Sequence, residues 1–432
     1  MGFPPERVPL GPEPLPVMPS SVPPPLQTIR DLCAAHHAYR AHTLNLIASE
    51  NVMSPWVEQA IDPGLGHRYG DYRGTDPTAR KYTGNRHITA LDLAARDALQ
   101  KLFQCRHADL RPLSGHVAGI AVLMACCQPG DLVLELDGPG GGHRLARKLN
   151  EAPLCPLKVE SIPLDPAAYN IDVDRTVALI RERRPRVVIL GSSLFLFAHP
   201  IRPLADALNA YGGILQFDAS HVLGLIAGGA YPNPLKEGAH VITSSTHKTF
   251  AGPQGGVLLA DDTALFHRIA PAIYPAIVTN HHLHRLPALA AVAAEWQAFG
   301  REHVAAVVAN ARALGAALAA EDLPVIGAKV GYTDTHTILI ASPEAAAVGD
   351  RLEAADILAT PVGLPAELGG GCLRFGVQEI TRRGFTAAEA PAVARLVAAA
   401  WRGERPAAEI STQVGALVAR WQDWRFTWPL PA

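Results

Sequence analysis

The chain reads as an α/β protein built on a mostly parallel sheet, and two features of the sequence carry that reading. Apolar runs of strand length recur at 132–136, 187–190, 214–217, 241–245 and 257–260, most of them separated by helix-length segments. Short polar or glycine-rich stretches follow the runs: Gly138-Pro139-Gly140-Gly141-Gly142-His143, Gly191-Ser192-Ser193, Asp218-Ala219-Ser220-His221 and Ser244-Ser245-Thr246-His247-Lys248. In an open parallel sheet, ligands bind at the carboxyl ends of the strands, where these stretches fall.

At 432 residues the chain exceeds the usual size of a single core. The expected division is a Pro-rich disordered arm over 1–27, an N-terminal helix with a large domain over 28–290, and a smaller C-terminal α+β domain over 291–432. Residues 1–25 hold ten prolines and little apolar periodicity. The spacing of Ile29, Leu32, Cys33, His36 and Tyr39 predicts a helix over 26–42. A short apolar run follows, Asn45-Leu46-Ile47-Ala48-Ser49-Glu50-Asn51, and then a polar loop containing Tyr69, Asp71 and Tyr82. A long helix is expected over 88–103 and another from Pro112-Leu113-Ser114-Gly115-His116 through Cys127. After Leu286 the chain turns alanine-rich and helical. Strands are expected at Thr337-Ile338-Leu339-Ile340 and Leu373-Arg374-Phe375-Gly376. Thr386-Ala387-Ala388-Glu389 has the form of a capping box before an apolar helix. No internal repeat is visible.

The chain is 48% hydrophobic and 18% charged, with net charge -2. That balance is ordinary for a globular protein. No basic excess argues for nucleic acid. Charges interrupt the apolar stretches short of the length of a membrane span, so none is expected. Cys33, Cys105, Cys126, Cys127, Cys155 and Cys372 lack metal-ligand spacing, so no metal is expected. Cys126-Cys127, adjacent in an apolar helix-like run, read as buried small hydrophobes, and a reduced cytoplasmic setting with no signal-peptide pattern is expected.

Lys248 stands at a strand end among small hydroxyl residues, before the turn Gly252-Pro253-Gln254-Gly255-Gly256. A lysine desolvated there can lose its proton and condense with a carbonyl. Asp218 ends another apolar strand and can pair with the pyridinium nitrogen of pyridoxal phosphate. Either residue alone is weak evidence, but strand–Asp-x-x-His followed by strand–His-Lys is a two-part signature.

The motifs Leu46-Ile47-Ala48-Ser49-Glu50-Asn51, Asp218-x-x-His221-Val222-x-Gly224-Leu225 and Thr246-His247-Lys248-Thr249 resemble the serine hydroxymethyltransferase family. The resemblance covers most of the chain, from about Leu44 to Phe385. It implies the aspartate-aminotransferase-like fold type I of pyridoxal phosphate enzymes. It also implies that Lys248 carries the cofactor, with His247 beside it, and that Asp218 holds the pyridine nitrogen. His221 and Ser193 would bond the ring's phenolate oxygen, and His143 would stack on the ring. Ser114 and Gly115, opening a helix, would take the phosphate. Ser49 and Arg374 would clamp the substrate carboxylate, with Tyr82 also on the substrate side. Tyr69 would reach across from the neighbouring subunit, as in the family's obligate dimer, so a homodimer is expected, with a tetramer as the alternative.

The departures from the family pattern narrow the activity. Where folate-using members have Ala-Glu-Gly-Tyr-Pro-Gly, this chain has Gly70-Asp71-Tyr72-Arg73-Gly74, so the proton-handling glutamate is at best Asp71. Gly138 and Arg144 stand where leucines sandwich the pterin, which puts tetrahydrofolate in doubt. Gln254, the Asn280-x-His282 segment, and Gly376-Val377-Gln378 with Thr381-Arg382-Arg383-Gly384 are similar to the L-threonine transaldolase branch of secondary metabolism and antibiotic biosynthesis. The resemblance thus implies threonine and an aldehyde as substrates, giving acetaldehyde and a new β-hydroxy amino acid. A hydroxymethyltransferase or plain β-hydroxy amino acid aldolase is the other reading. A non-catalytic relative fits poorly with the retention of Lys248, Asp218, His221 and Arg374. His143, Asp71 and water are the candidates for the base that takes the β-hydroxyl proton.

Overall fold

The computed structural model describes residues 24–152, 154–421 and 423–430. Most of the arm expected over 1–27 therefore lies outside the described residues. The chain divides at His42 into two units. The first contains helix α1, Pro24–His42. Pro24 and Pro25 open it, where the missing N–H groups cost no helical bond. Its Leu26, Ile29 and Leu32 are exposed.

The second unit is organised by a seven-stranded sheet. In chain order its strands are β1 His107–Asp109, β2 Leu132–Glu135, β3 Lys158–Ser161, β4 Val187–Leu190, β5 Ile214–Asp218, β6 Val241–Ser245 and β7 Gly256–Ala260. Across the sheet the order is β1-β7-β6-β5-β4-β2-β3. The pairs β6-β5, β5-β4, β4-β2 and β2-β3 are parallel, while β7 runs antiparallel to both β6 and β1. Central strands such as β4 (Val187-Val188-Ile189-Leu190) and β6 are buried at every residue. Both faces are covered, which is why they read as continuous apolar runs rather than alternating ones.

Helix α2, Arg86–Phe103, precedes the sheet, and α3, Gly115–Cys126, follows β1. Ser114 caps α3 by accepting from Val117 N at 3.1 Å. The short helix α4, Leu145–Glu151, follows the glycine loop after β2. Ala121, Val122 and Leu145 pack on one side of the sheet with Val187, Val241 and Leu258. Phe217, Leu190 and Ile242 belong to the core on the other side.

Helix α5, Leu286–Ala320, spans 35 residues. By length and composition alone it is apolar enough to cross a membrane, although Glu295, Arg301, Glu302 and Arg312 interrupt it as expected from the sequence. Its apolarity has another cause: Leu289, Val292, Trp296, Val304, Leu314 and Leu318 are buried in the protein. A three-stranded antiparallel sheet follows, made of β8 Thr337–Ala341, β9 Thr360–Gly363 and β10 Gly371–Gly376 in the order β8-β10-β9. Thr386 and Glu389 form the expected capping box ahead of α6, Ala390–Arg402.

The last described residues lie along α5. Phe426 stacks on His303 at 4.6 Å, His303 on Trp296 at 4.8 Å, and Trp296 on Phe250 at 6.0 Å. The Trp296 indole N–H donates to Phe250 O at 2.8 Å. Beside this ladder the buried Glu295 carboxylate pairs with Arg382 and accepts from Ser54 Oγ and Thr427 Oγ1. Phe250 is two residues past Lys248, so the ladder braces the lysine turn.

Candidate active site

Turns after β2, β4, β5 and β6 and the start of α3 enclose a cavity of about 340 Å³. Lys248, His247, Asp218, His221, Ser193, His143, Ser114 and Gly115 all line it. Eight residues expected at the cofactor from sequence are thus brought together, from positions more than a hundred residues apart.

The lysine turn is held from several sides. Asn51 Nδ2 donates to Lys248 O at 3.0 Å, and Ala251 N donates to the same oxygen at 3.0 Å. Gly252 N donates to Thr246 O at 2.8 Å. Burial lowers the pKa of Lys248, with Asp218 opposing and Arg374 reinforcing the shift. The direction is the one an amine needs to act as a nucleophile. Asp218 Oδ1 accepts from Ser220 N at 2.9 Å, and Ser220 Oγ accepts from Ser245 N at 3.0 Å.

Glycines let the backbone segments close on one another. A Cβ on Gly115 would lie 2.6 Å from Ser245 N. Gly191 has φ +137°, and a Cβ there would lie 2.5 Å from Asp218 O.

His221 is stacked on His336 at 6.0 Å and is held well below its ordinary pKa, chiefly by burial. Arg374 lies on β10, where Leu373 and Phe375 face the core beside α6. Alternation sends Arg374 to the opposite face. There its Nη1 donates to Ser193 O at 3.0 Å. Ser49 sits in a turn beside this strand, because Ile47 bridges Phe375 and Leu46 O accepts from Gly376 N at 2.8 Å. Neither Ser49 nor Arg374 is in the wall of the cavity itself.

Tyr69, Tyr82 and Asp71 lie elsewhere. Tyr69 and Tyr82 are exposed, with ring centroids 5.0 Å apart. Asp71 is 2% exposed. Its Oδ1 accepts from Asn280 N at 3.1 Å and lies 3.8 Å from His281 Nδ1. His281 is also the first cause holding the Asp71 carboxyl below its usual range. Under this loop, Asp92 takes bonds from Tyr72, Arg80 and Arg96, which anchors the hairpin of Tyr72–Arg73 and Asp76–Arg80.

Further wall residues were not expected as site groups: His116, Arg144, Lys148, Ser192, Ser220 and Ser245. Arg144 precedes α4 in the left-handed conformation and Lys148 lies within the helix. Ser220 and Ser245 directly flank strand-end motifs, which is the signal that could have found them.

Several buried polar atoms in and beside the cavity lack partners among the described residues: His221 Nδ1, His247 Nδ1, Ser245 Oγ and Arg374 Nε. Buried polar groups are ordinarily hydrogen-bonded. Together with the α3 N-terminus and Lys148, they form a donor set suited to an anionic, phosphorylated ring and to a substrate carboxylate.

A mostly parallel sheet with a partly desolvated lysine at one strand end and an aspartate at the next defines a pyridoxal phosphate enzyme of fold type I. Residues 27–397 match the family described as serine hydroxymethyltransferase. A serine hydroxymethyltransferase from Methanopyrus kandleri is 40% identical over 399 residues, covering 90% of this chain and 92% of that protein. One from Pyrobaculum neutrophilum is 41% identical over 394 residues, covering 89% and 90%. Among solved structures, the L-threonine transaldolase from Pseudomonas fluorescens, in its internal aldimine state, matches with TM-score 0.88 at 27% identity over 93% of each chain. The chain belongs to the serine hydroxymethyltransferase family, and it is an enzyme of the transferase or aldolase type.

Proposed function

We propose that this chain is a pyridoxal-phosphate-dependent L-threonine transaldolase. It would split threonine between Cα and Cβ, release acetaldehyde, and join the glycine unit to a second aldehyde. One observation carries this reading: Arg144, at a position where folate-using members place a leucine against the pterin, stands in the cavity wall as a charged side chain. A flat pterin stacked there would gain little burial on that wall. The likeness to the Pseudomonas fluorescens transaldolase supports the same reading.

When bound, pyridoxal phosphate supplies the sink for the electron pair left at Cα. The unpartnered donors fit it. Ser114, Gly115, Ser245 and His247 would hold the phosphate, Asp218 the pyridine nitrogen, and His221 and Ser193 the ring oxygen. Lys248 would supply the amine that binds the cofactor. Arg374 and Ser49 would hold the amino acid's carboxylate. His143 would take the β-hydroxyl proton. Tyr69, exposed on its own subunit, would serve the neighbouring site of a homodimer.

Serine hydroxymethyltransferase activity is the second reading, favoured by the identity of 40% to the Methanopyrus kandleri protein. Incubation with L-threonine and a second aldehyde, with and without tetrahydrofolate, tests the two. Release of acetaldehyde and a new β-hydroxy amino acid without folate is the expected result. Strong folate enhancement with serine turnover would sink the transaldolase reading.

A further inference from the structure

His116 and His143 come from separate elements and meet at the cavity wall. His116 is the second residue of α3, and His143 ends the glycine loop after β2. His116 Nδ1 and His143 Nε2 are 2.9 Å apart, with the ring planes crossed at 80°. An N···N contact of this length needs one proton between the two nitrogens, so one ring donates and the other accepts. Both rings are lowered below the ordinary histidine pKa, first by burial and next by Lys148 of α4. Asp218, ending β5, opposes this at both rings, and Lys248, following β6, reinforces it at His143. Both shifts favour the uncharged pair, with one proton shared between the two facing nitrogens.

We propose that His116 positions His143, and that the pair stores the proton of threonine's β-hydroxyl until the acceptor aldehyde's oxygen takes it back. This rests on the transaldolase reading. With Nε2 bound to His116, Nδ1 is the His143 nitrogen left for substrate. In the cleavage half the β-hydroxyl O–H bond breaks and its proton bonds to Nδ1. The Cα–Cβ electron pair stays on the Cα side as acetaldehyde leaves. The Nε2 proton moves to His116 Nδ1, so the positive charge rests on His116. In the second half a bond forms from Cα to the acceptor's carbonyl carbon. The Nδ1 proton goes to the new alkoxide oxygen, and the shared proton returns to Nε2. One proton is taken up and one given back, with no outside acid.

Histidine NMR on the cofactor-free full-length protein reads the pair without turnover. In the wild type, His143 should carry its proton on Nε2 and titrate in two steps coupled to His116. His116→Phe should leave His143 titrating in a single step with mixed tautomers, and His116→Asn, which keeps an acceptor, should restore the Nε2–H form. With cofactor, threonine and an aldehyde, kcat for the new amino acid should fall about tenfold or more in His116→Phe, with part recovered in His116→Asn. An unchanged His143 tautomer and titration in His116→Phe overturns the positioning role, and unchanged turnover overturns the proton store. If the wild type releases no acetaldehyde from threonine, the transaldolase reading fails and the proton store with it. The NMR comparison still decides whether His116 positions His143.

Discussion

The Thr249 hydroxyl joins the two halves of the candidate site. It donates to His221 O at 3.0 Å and accepts from Gly224 N at 3.1 Å. The turn bearing Lys248 and the turn bearing Asp218 and His221 are thereby one rigid piece. Thr249→Val keeps the shape and removes both bonds. Leaving buried backbone groups without partners costs about 1–3 kcal/mol each. The variant should melt several degrees lower and retain pyridoxal phosphate less well, measured by calorimetry and by cofactor absorbance after dialysis. Unchanged values would mean the turns are aligned by packing alone.

Borohydride reduction should fix the cofactor to Lys248. Peptide mapping reads this directly, and Lys248→Ala should abolish the adduct. A pyridoxyl group found on another lysine would refute the assignment.

Arg374→Ala should raise KM for amino acid substrates far more than it weakens cofactor binding. Losing a charge-assisted contact to a carboxylate costs about 2–4 kcal/mol. Steady-state kinetics at saturating cofactor separate the two effects. An unaltered KM would place the carboxylate elsewhere.

Tyr69→Phe and Lys248→Ala chains, each inactive or weak alone, should regain part of the activity when mixed and re-equilibrated. Pairing them creates one site with both groups intact if Tyr69 serves a neighbouring subunit. Mixtures no better than the sum of their parts would argue against a shared site.

Stability should fall on mild acidification. Burial pulls both His199 and His336 down to about 3. The unfolded imidazole, near 6.5, takes up its proton first, so the unfolded state binds more protons between those values. The contribution is therefore complete above about pH 6.5 and is lost as pH falls toward 3. At pH 5 each group should cost about 2 kcal/mol relative to pH 7. Urea titrations at the two pH values measure it, and equal midpoints would contradict the burial argument.

Much of this architecture is legible in the residue pattern, and the exceptions have physical causes. Strands β2, β4, β5, β6 and β7 show as apolar runs because both of their faces are covered. His107–Asp109 and Lys158–Ser161 escape notice because they are edge strands, short and polar, and pairing rather than composition makes them strands. The cofactor-side residues are legible because each follows a strand, and strand ends converge. Asp71 shows the limit of such reading. Its spacing from Tyr69 suggests a loop acid, yet its partners are Asn280 and His281, some two hundred positions later, and no local pattern announces them. The His116–His143 contact is hidden for the same reason: two unremarkable histidines meet only when α3 and the glycine loop are folded against each other.

The aromatic ladder from Phe426 to Phe250 sets an order of events during synthesis. The lysine and its turn emerge from the ribosome long before the segment that braces them. A nascent chain arrested ahead of Trp421 would have every residue of the cavity wall and yet lack the outermost ring of the stack and the Thr427 hydroxyl on Glu295. The outer brace of the lysine turn is therefore synthesised more than a hundred and seventy residues after the lysine it supports.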